Sequence, residues 1–319
     1  MSAKERSGII TGIVAYILFG GSFMVIKIIF NHGMTFAGVL FWRMALASVM
    51  LWLLLKIKPP QNKMTFRQWL RIWPLAICEP ILYYTGESIG VNHTGAAISG
   101  TIIAMIPIFT IIFARIFLRE RHTAWQIWAI ILSVTGVSLI AFAKGGDVDL
   151  SGAPIGFICL ILAVASASAY QIMLKGWDDR YSPEQFTLGI SLYGLLFFGA
   201  YSLIEAGVTH DFHRLFLLPI DQPEVLLMIV ALTATNSVAG FILLNRCISF
   251  IGPTRCSSFA GITTIISILC GIFLLKEGLT FWQLVGAVMI IIGAWAANYF
   301  TPERVWAGEK ANNALESAP

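Results

Sequence analysis

The sequence predicts an all-α polytopic membrane protein with ten transmembrane helices, arranged as two inverted-topology five-helix repeats. Three observations predict this fold: an apolar composition, a segregation of basic residues between alternate loops, and a motif that recurs in the second half. Hydrophobic residues make up 57% of the 319 positions and charged residues only 12%, and the mean hydropathy is +0.80. A soluble domain carries roughly 25% charged residues, so most of this exterior must face a bilayer.

The same composition excludes several classes of protein. So few charges exclude a disordered chain, a coiled coil and an ordinary cytosolic enzyme, and a net charge of +4 is too small to indicate a nucleic-acid partner. The five cysteines lie inside apolar stretches without CxxC or metal-ligand spacing, which predicts buried thiols and no metal site. The chain has no GxxxxGK[ST] motif, so we expect no nucleotide and no other cofactor.

Ten stretches are long enough to cross a membrane, since a helix needs about 20 apolar residues to do so. The first is too long for a signal-peptide core and lacks a convincing cleavage site, so it is predicted to be a retained helix. The connections are short, and any functional site must therefore lie within the helix bundle. The predicted spans are 8–30, 34–56, 68–90, 95–117, 124–143, 153–175, 184–206, 224–248, 254–275 and 282–301.

The basic residues predict the orientation, because Lys and Arg accumulate on the cytoplasmic side. With the N-terminus in the cytoplasm, sixteen of the 21 Lys and Arg residues fall on the inner side and three, Lys144, Arg214 and Lys276, on the outer side. Lys27 and Arg43 remain inside spans. This distribution predicts that both termini are cytoplasmic.

An internal repeat relates the two halves at a spacing of 157 positions. The segment 118–126 (Leu-Arg-Glu-Arg-His-Thr-Ala-Trp-Gln) is similar to the segment 275–283 (Leu-Lys-Glu-Gly-Leu-Thr-Phe-Trp-Gln). The matched pairs include Glu120 with Glu277, Thr123 with Thr280, Gln126 with Gln283, Gly95 with Gly252 and Gly136 with Gly293. We expect the two glutamates to be structural, holding a loop to a helix N-terminus.

The repeat predicts repeat units at 8–143 and 153–301, followed by a cytoplasmic tail at 302–319. Because each unit has five spans, the second must enter the membrane from the opposite side. Inverted repeats are typical of secondary transporters, and the alternative is a duplicated scaffold without a transport role.

These motifs resemble a known family. The run that begins at Asn92 (Asn-His-Thr-Gly-Ala-Ala-Ile), with Pro107, the segment 118–123 and Gly136, resembles the first half of EamA-type members of the drug/metabolite transporter superfamily. The run that begins at Gly252 (Gly-Pro-Thr-Arg), with 275–280, Gly286 and Gly293, resembles the second half, although Thr264 and Ala129 depart from the pattern. The resemblance implies a ten-helix carrier of the bacterial inner membrane, often an exporter of amino acids or other small metabolites.

Four ionisable residues of the predicted spans are functional candidates, because burying a charge in the bilayer costs roughly 2.5–3.5 kcal/mol. Lys27 lies near an outer span end and can extend to the interface. Arg43 lies about 12 Å deep at 1.5 Å per residue and should face the bundle interior. Glu79 lies near the middle of the third span, and Glu87 lies two turns nearer the outside.

Two hypotheses account for these charges. In one, Arg43 forms a buried ion pair with Glu79 or Glu87 that fixes the packing of the second and third spans. In the other, the charges line a central cavity, with Asn236 opposite Glu79 under the repeat. Arg43 would then hold a substrate carboxylate, and Glu79 would bind an ammonium group or carry a proton, with Glu87 a second proton-coupling candidate.

Aromatic side chains complete the candidate substrate site, since an aromatic cavity with a few charges suits an amino acid or an amphiphilic metabolite. For any single aromatic residue, ordinary packing is the alternative. The predicted substrate-binding set is Arg43, Glu79, Tyr83, Asn236, Tyr16, Trp42, Tyr170 and Phe241.

The sequence therefore predicts a secondary-active transporter, an exporter of small polar or amphipathic metabolites such as amino acids by alternating access. The alternatives are a flippase for lipids or lipid-linked substrates and an intramembrane enzyme, although no HExxH motif and no histidine within a predicted span is present to support catalysis. The expected partners are a small-molecule substrate and the bilayer, and the expected assembly is a monomer or a homodimer.

Overall fold

The computed structural model describes residues 2–87, 89–90, 93, 102–103, 105–143, 153–177, 181–266, 269, 281–300 and 302, and every regular element among them is helical. The first half comprises α1 (Ala3–Asn31), α2 (Phe36–Ile57), α3 (Phe66–Leu70), α4 (Trp73–Ala76), a π-helical segment (Ile77–Leu82), α5 (Ile106–Phe113), a second π-helical segment (Ala114–Leu118) and α6 (Ala124–Ala143).

The second half begins with two long helices, α7 (Ala153–Lys175) and α8 (Pro183–Thr209). Its other elements are a π-helical segment (His213–Leu217), α9 (Leu218–Asp221), α10 (Pro223–Leu232), a further π-helical segment (Thr233–Gly240), α11 (Phe241–Ile251), α12 (Pro253–Ser257), a 3₁₀ turn (Ser258–Ala260) and α13 (Phe281–Tyr299).

Side-chain caps explain where several helices begin. The Ser2 hydroxyl accepts a hydrogen bond from the Glu5 amide at 3.1 Å, and the Thr35 hydroxyl accepts one from the Gly38 amide at 3.2 Å. At the start of α8, the Ser182 amide donates to Gln185 Oε1 at 3.0 Å as part of a capping box. These bonds satisfy amides that have no partner within the helix.

The predicted third span is helical but interrupted. It consists of α3, α4, the π-helical segment and a further helical stretch at 83–87. Glu79 has non-helical backbone angles (φ −147°, ψ 119°) and is followed by Pro80. Proline lacks the amide hydrogen that the helical ladder requires, so the sequence accounts for this break.

Within the described residues, four helices are long and apolar enough to cross a bilayer, namely Phe36–Ile57, Pro154–Lys175, Pro183–Thr209 and Pro223–Ile251. Three shorter apolar helices accompany them, Ile106–Leu118, Ala124–Ile140 and Leu284–Tyr299. Large apolar side chains cover the exterior; Leu196 and Val208 of α8, for example, are 70% and 76% exposed. A soluble surface does not expose such extensive apolar area, and the fold is that of a multi-pass membrane protein.

The helices α6 and α13 pack at the distance that glycine permits. A Cβ atom added to Gly136 would lie 2.6 Å from the carbonyl oxygen of Gly286, and one added to Gly293 would lie 2.5 Å from that of Ala129. The repeat spacing of 157 matches Gly136 with Gly293 and Ala129 with Gly286. The two close contacts are therefore equivalent under the repeat, with Ala129 in the place of the fourth glycine.

The repeated motif at 118–126 joins these helices at one end. The Thr123 hydroxyl donates to the Phe300 carbonyl at 2.7 Å, and Gln126 Nε2 donates to the Ala297 carbonyl at 3.2 Å. Glu120 Oε2 accepts from the Thr254 hydroxyl, at the start of α12, at 3.2 Å, as its predicted structural role requires. The matching segment 275–280 lies outside the described residues.

Candidate functional site

Two π-helical segments occupy equivalent positions in the two halves. The Glu79 segment (Ile77–Leu82) and the Asn236 segment (Thr233–Gly240) overlap when the repeat spacing of 157 is applied. In the second segment the Thr235 hydroxyl donates to the Ala231 carbonyl at 2.8 Å, a side-chain bond that competes with the helical ladder. Such wide helical turns are frequent at functional sites, and here they carry Glu79 and Asn236.

Arg43 of α2 is held by the Asn236 segment. Its side chain donates to Asn236 Oδ1 at 3.2 Å and to the Ser237 hydroxyl at 3.1 Å. Its guanidinium also lies over the Tyr84 ring, 5.3 Å from the centroid, and donates to the Tyr84 hydroxyl at 3.5 Å. Arg43 is only 2% exposed, so its charge is buried against neutral partners from both halves of the chain.

The predicted ion pair between Arg43 and a glutamate is not formed. Among the described residues, no carboxylate lies within 4.0 Å of a nitrogen of Arg43. Glu87 instead accepts a hydrogen bond from the Tyr83 hydroxyl at 3.3 Å. The cation and the two carboxylates of this region are therefore separate groups.

Glu79 is buried without a cationic partner. It is 8% exposed, and within the described part of the chain its carboxyl group has no hydrogen bond and no ion pair. A buried carboxylate that nothing compensates is costly in its charged form. The position is suited to a group that receives a proton or a cation during function.

Three of the predicted aromatic residues form one chain of ring contacts with Phe19. Tyr16 packs edge-on to Phe19 with centroids 5.9 Å apart, Phe19 packs on Phe241 at 5.7 Å, and Phe241 packs on Tyr170 at 6.4 Å. The Tyr170 hydroxyl donates to Asn245 Oδ1 at 2.7 Å. Tyr16, Tyr170 and Phe241 therefore share one aromatic layer.

Trp42 does not join this layer. It packs against the apolar cluster of Ile29, Val39, Val225 and Ile229. Successive helix residues point about 100° apart, so Trp42 cannot share the direction of Arg43. Tyr83, by contrast, lies beside Tyr84, with ring centroids 5.4 Å apart, and Tyr84 contacts Arg43.

Several residues of the site lie outside the predicted set. Ser237 and Tyr84 bind Arg43, and Asn245 Nδ2 donates to the Thr187 hydroxyl at 3.1 Å. Neutral amide and hydroxyl groups are commonly buried when they are hydrogen-bonded. Their presence in an apolar stretch of sequence is therefore only a weak indication of a functional site. The indications that the sequence offers are the adjacency of Ser237 to Asn236 and that of Tyr84 to Tyr83.

Two cavities lie along this region. The smaller, of about 10 Å³, has room for a single water molecule and is lined by Met44, Pro80, Tyr84, Ile190, Ser191, Ser237 and Phe241. The larger, of about 350 Å³, has the size of a small-molecule site; we name it the vestibule. Its walls come from the connection before α3, the end of α7, the start of α8 and the end of α11.

One face of the Pro223–Ile251 helix connects the two cavities. Ser237 and Phe241 line the small cavity, and Asn245 lines the vestibule. These residues are spaced four apart and so share a helix face, with Asn245 roughly 12 Å along the axis from Ser237. The aromatic layer with Tyr170 lies between the vestibule and Arg43.

The apolar helices and the apolar exterior define a multi-pass membrane protein. The sequence model of the "EamA-like transporter family" matches residues 6–142 and 154–299, and this chain belongs to that family. It is accordingly a membrane transporter of the drug/metabolite transporter superfamily and not an enzyme.

Relatives are similar in sequence over most of their length, and a solved structure shares the fold. The chain is 32% identical to "Uncharacterized transporter YcxC" of Bacillus subtilis over 227 residues, which is 71% of this chain and 72% of the relative. It is 22% identical to "WAT1-related protein At2g40900" of Arabidopsis thaliana, with 87% and 75% covered. A solved crystal structure superimposes with a TM-score of 0.77 at 13% identity, covering 91% of this chain and 98% of that one, which shows a shared fold.

Proposed function

We propose that this chain is a secondary-active carrier that exports small polar or amphipathic metabolites, such as amino acids, by alternating access. The observation that carries the proposal is the pair of separately buried charges, Glu79 and Arg43, one on a π-helical segment and the other bonded to the segment that the repeat makes equivalent to it. Charges buried in a membrane without neutralising each other are retained for a ligand or an ion rather than for stability.

The proposal includes ten transmembrane helices in two inverted repeats, within the bacterial inner membrane and with both termini in the cytoplasm. Support comes from the segregation of basic residues and from the paired contacts of Gly136 with Gly286 and Gly293 with Ala129. A symmetric axis between α6 and α13 would let the halves exchange inward-open and outward-open arrangements around a central site.

In this proposal Arg43 holds a substrate carboxylate, because a guanidinium presents a fork of donors that matches that group. Asn236 and Ser237 position the guanidinium. Glu79 receives the substrate ammonium group or a coupling proton, and Glu87, held by Tyr83, is the second proton-coupling candidate. The site would thus recognise both ends of a zwitterion.

A solute carrier is favoured over a lipid flippase by the enclosure of the charges. A flippase should present a polar groove that is open to lipid, whereas Arg43 and Glu79 are 2% and 8% exposed. The vestibule lies at the end of the molecule that the distribution of basic residues predicts to be cytoplasmic. An exporter requires access from this side.

The test is flux in proteoliposomes with a panel of labelled amino acids and amines, with and without an imposed pH gradient. We expect gradient-driven flux that is lost in Glu79→Gln and in Arg43→Ala. Glu205→Gln, a half-buried carboxyl near the far end of α8, and Arg214→Ala, an exposed arginine, are the matched controls.

Flux that does not depend on the pH gradient and is unchanged in Glu79→Gln would show that the protein is a facilitator and that Glu79 is structural. Absence of flux for every solute, together with movement of labelled lipid between the leaflets of the same vesicles, would contradict the carrier proposal and indicate a flippase.

A further inference from the structure

The vestibule has a lining that the proposed central site does not explain. Its aromatic wall consists of Trp177, Tyr181, Phe186 and Phe250. Trp177 and Phe186 pack edge-on with centroids 5.3 Å apart. Such a wall offers apolar area and ring edges to a flat apolar group.

Among the described residues, the charged groups at the vestibule are mostly cations. Arg246 belongs to its lining, Lys175 Nζ donates to the Ser249 carbonyl at 3.1 Å, and Lys4 Nζ lies 5.5 Å from the centre of the Phe250 ring. Against these stands the carboxylate of Glu184. A concave site with an excess of one charge attracts ligands of the opposite charge; the segment 178–180 lies outside the described residues and carries no part of this argument.

Arg246 can bind a second carboxylate. It is paired with Glu184 through one nitrogen at 3.1 Å, and its side chain is 42% exposed while that of Glu184 is 18% exposed. Within the described chain, its other N–H groups have no acceptor. A guanidinium has five donors, so most of them remain available at the cavity surface.

The vestibule also has an inner end that leads toward Arg43. Asn245, which precedes Arg246, is 2% exposed and is held between Tyr170 and Thr187. Arg246 lies nine residues from Ser237, or roughly 14 Å along the helix axis. Two guanidinium groups therefore lie along one route, one at the vestibule and one in the membrane interior.

We infer that the vestibule is a separate binding site for amphipathic organic carboxylates, in which Arg246 binds the carboxylate and the aromatic wall binds an apolar ring. The inference rests on the proposed transport function, because it defines the substrate class that enters the route to Arg43. The ammonium group of a ring-bearing amine would be repelled by the excess of cationic side chains at the vestibule. The carboxylate, and not the ammonium group, is therefore required for capture.

A matched ligand series tests this requirement on the purified full-length protein in lipid nanodiscs. Titration calorimetry is carried out with 3-phenylpropionate, phenylalanine and phenethylamine, which share a ring and differ in their charged groups. We expect 3-phenylpropionate and phenylalanine to bind and phenethylamine to bind at least tenfold more weakly. Equal binding of phenethylamine would overturn the inference.

Substitutions in the Arg246–Glu184 pair give effects of opposite sign. Arg246→Gln should weaken 3-phenylpropionate binding about tenfold, with partial recovery in Arg246→Lys. Glu184→Gln should strengthen it, because it frees the guanidinium. If the pair were merely structural, both substitutions would act in the same direction, and that result would refute the assignment. Arg214→Gln is the control, and size-exclusion profiles establish that each variant is folded.

Binding by Arg43→Ala separates this inference from the proposed function. We expect this variant to transport nothing and to retain a 3-phenylpropionate site whose affinity falls about tenfold when Arg246→Gln is added. Loss of binding in Arg43→Ala would show that the vestibule is not a separate site, even if transport is confirmed. Binding that persists in a protein without flux for any solute would retain the vestibule and contradict the carrier.

Discussion

The α6–α13 pair and the surroundings of Arg43 are built by opposite means. The pair brings backbones together through Gly136, Gly286 and Gly293, with no charged group in the contact. Around Arg43, wide helical turns present amide and hydroxyl groups to a buried cation. The α6–α13 contact allows close packing of two helices. The surroundings of Arg43 interrupt a regular helix and remove a charged group from water.

This difference separates stability from function. Small-residue contacts stabilise helix association in lipid, where no hydrophobic driving force acts between helices. A buried charge contributes little to stability, and its replacement by an apolar residue of similar size is often neutral or stabilising. Substitutions in the two regions should therefore have inverse effects on unfolding and on transport.

The largest expected effect is the loss of transport in Arg43→Met. Removal of the guanidinium removes the proposed carboxylate site, and flux should fall about a hundredfold, while the apparent unfolding temperature changes little because methionine fills much of the same volume. Flux and thermal unfolding are measured on the same preparation. A variant that unfolds at a much lower temperature yet transports normally when folded would assign Arg43 to structure.

The next effect is a loss of stability in Gly136→Ala. The new Cβ would lie 2.6 Å from the Gly286 carbonyl oxygen, so the helices must separate, at a cost of about 2 kcal/mol in the free energy of unfolding. Gly207→Ala is the matched control, since nothing lies within 4 Å of its Cβ position. It should gain up to about 1 kcal/mol from helix propensity. Changes of the same sign in both variants would contradict the packing argument.

Composition and the repeat predicted the membrane fold and the element pairs that matter most. The spacing of 157 relates Gly136 to Gly293 and Glu79 to Asn236, and the structure shows both relations in its contacts and its π-helical segments. Arg43 was expected in the interior and is bonded to Asn236 at 3.2 Å.

What the sequence could not predict is rotation about each helix axis. Depth follows from position along the chain at 1.5 Å per residue, but the break at Glu79 changes the direction of the following side chains. Depth alone therefore makes an ion pair of Arg43 with Glu79 or Glu87 a reasonable hypothesis, but neither carboxylate is paired with the guanidinium. The contribution of Ser237 and Asn245 likewise depends on which face they occupy.

A smaller effect is expected at the layer between the vestibule and Arg43. Tyr170→Phe removes the donor to Asn245 Oδ1 and leaves a buried acceptor unsatisfied, which should lower the free energy of unfolding by about 1–2 kcal/mol. Flux should decrease less than in Arg43→Met, because no charge is lost. Denaturation in detergent and flux per folded molecule measure the two effects, and Tyr201→Phe, an exposed tyrosine of α8, is the control.

The smallest effect sharpens the comparison by testing the repeat itself. Thr123→Val removes the donor to the Phe300 carbonyl and the acceptor of the Gln126 amide at 3.1 Å, and should lower the free energy of unfolding by about 1 kcal/mol. Thr123→Ser retains both bonds and should be near neutral. Because the repeat pairs Thr123 with Thr280 in the sequence, Thr280→Val should cause an equal loss. A loss in Thr123→Val without one in Thr280→Val would show that the equivalence of the two repeats does not extend to these hydroxyl groups, and that it is carried by the glycine contacts of α6 and α13 alone.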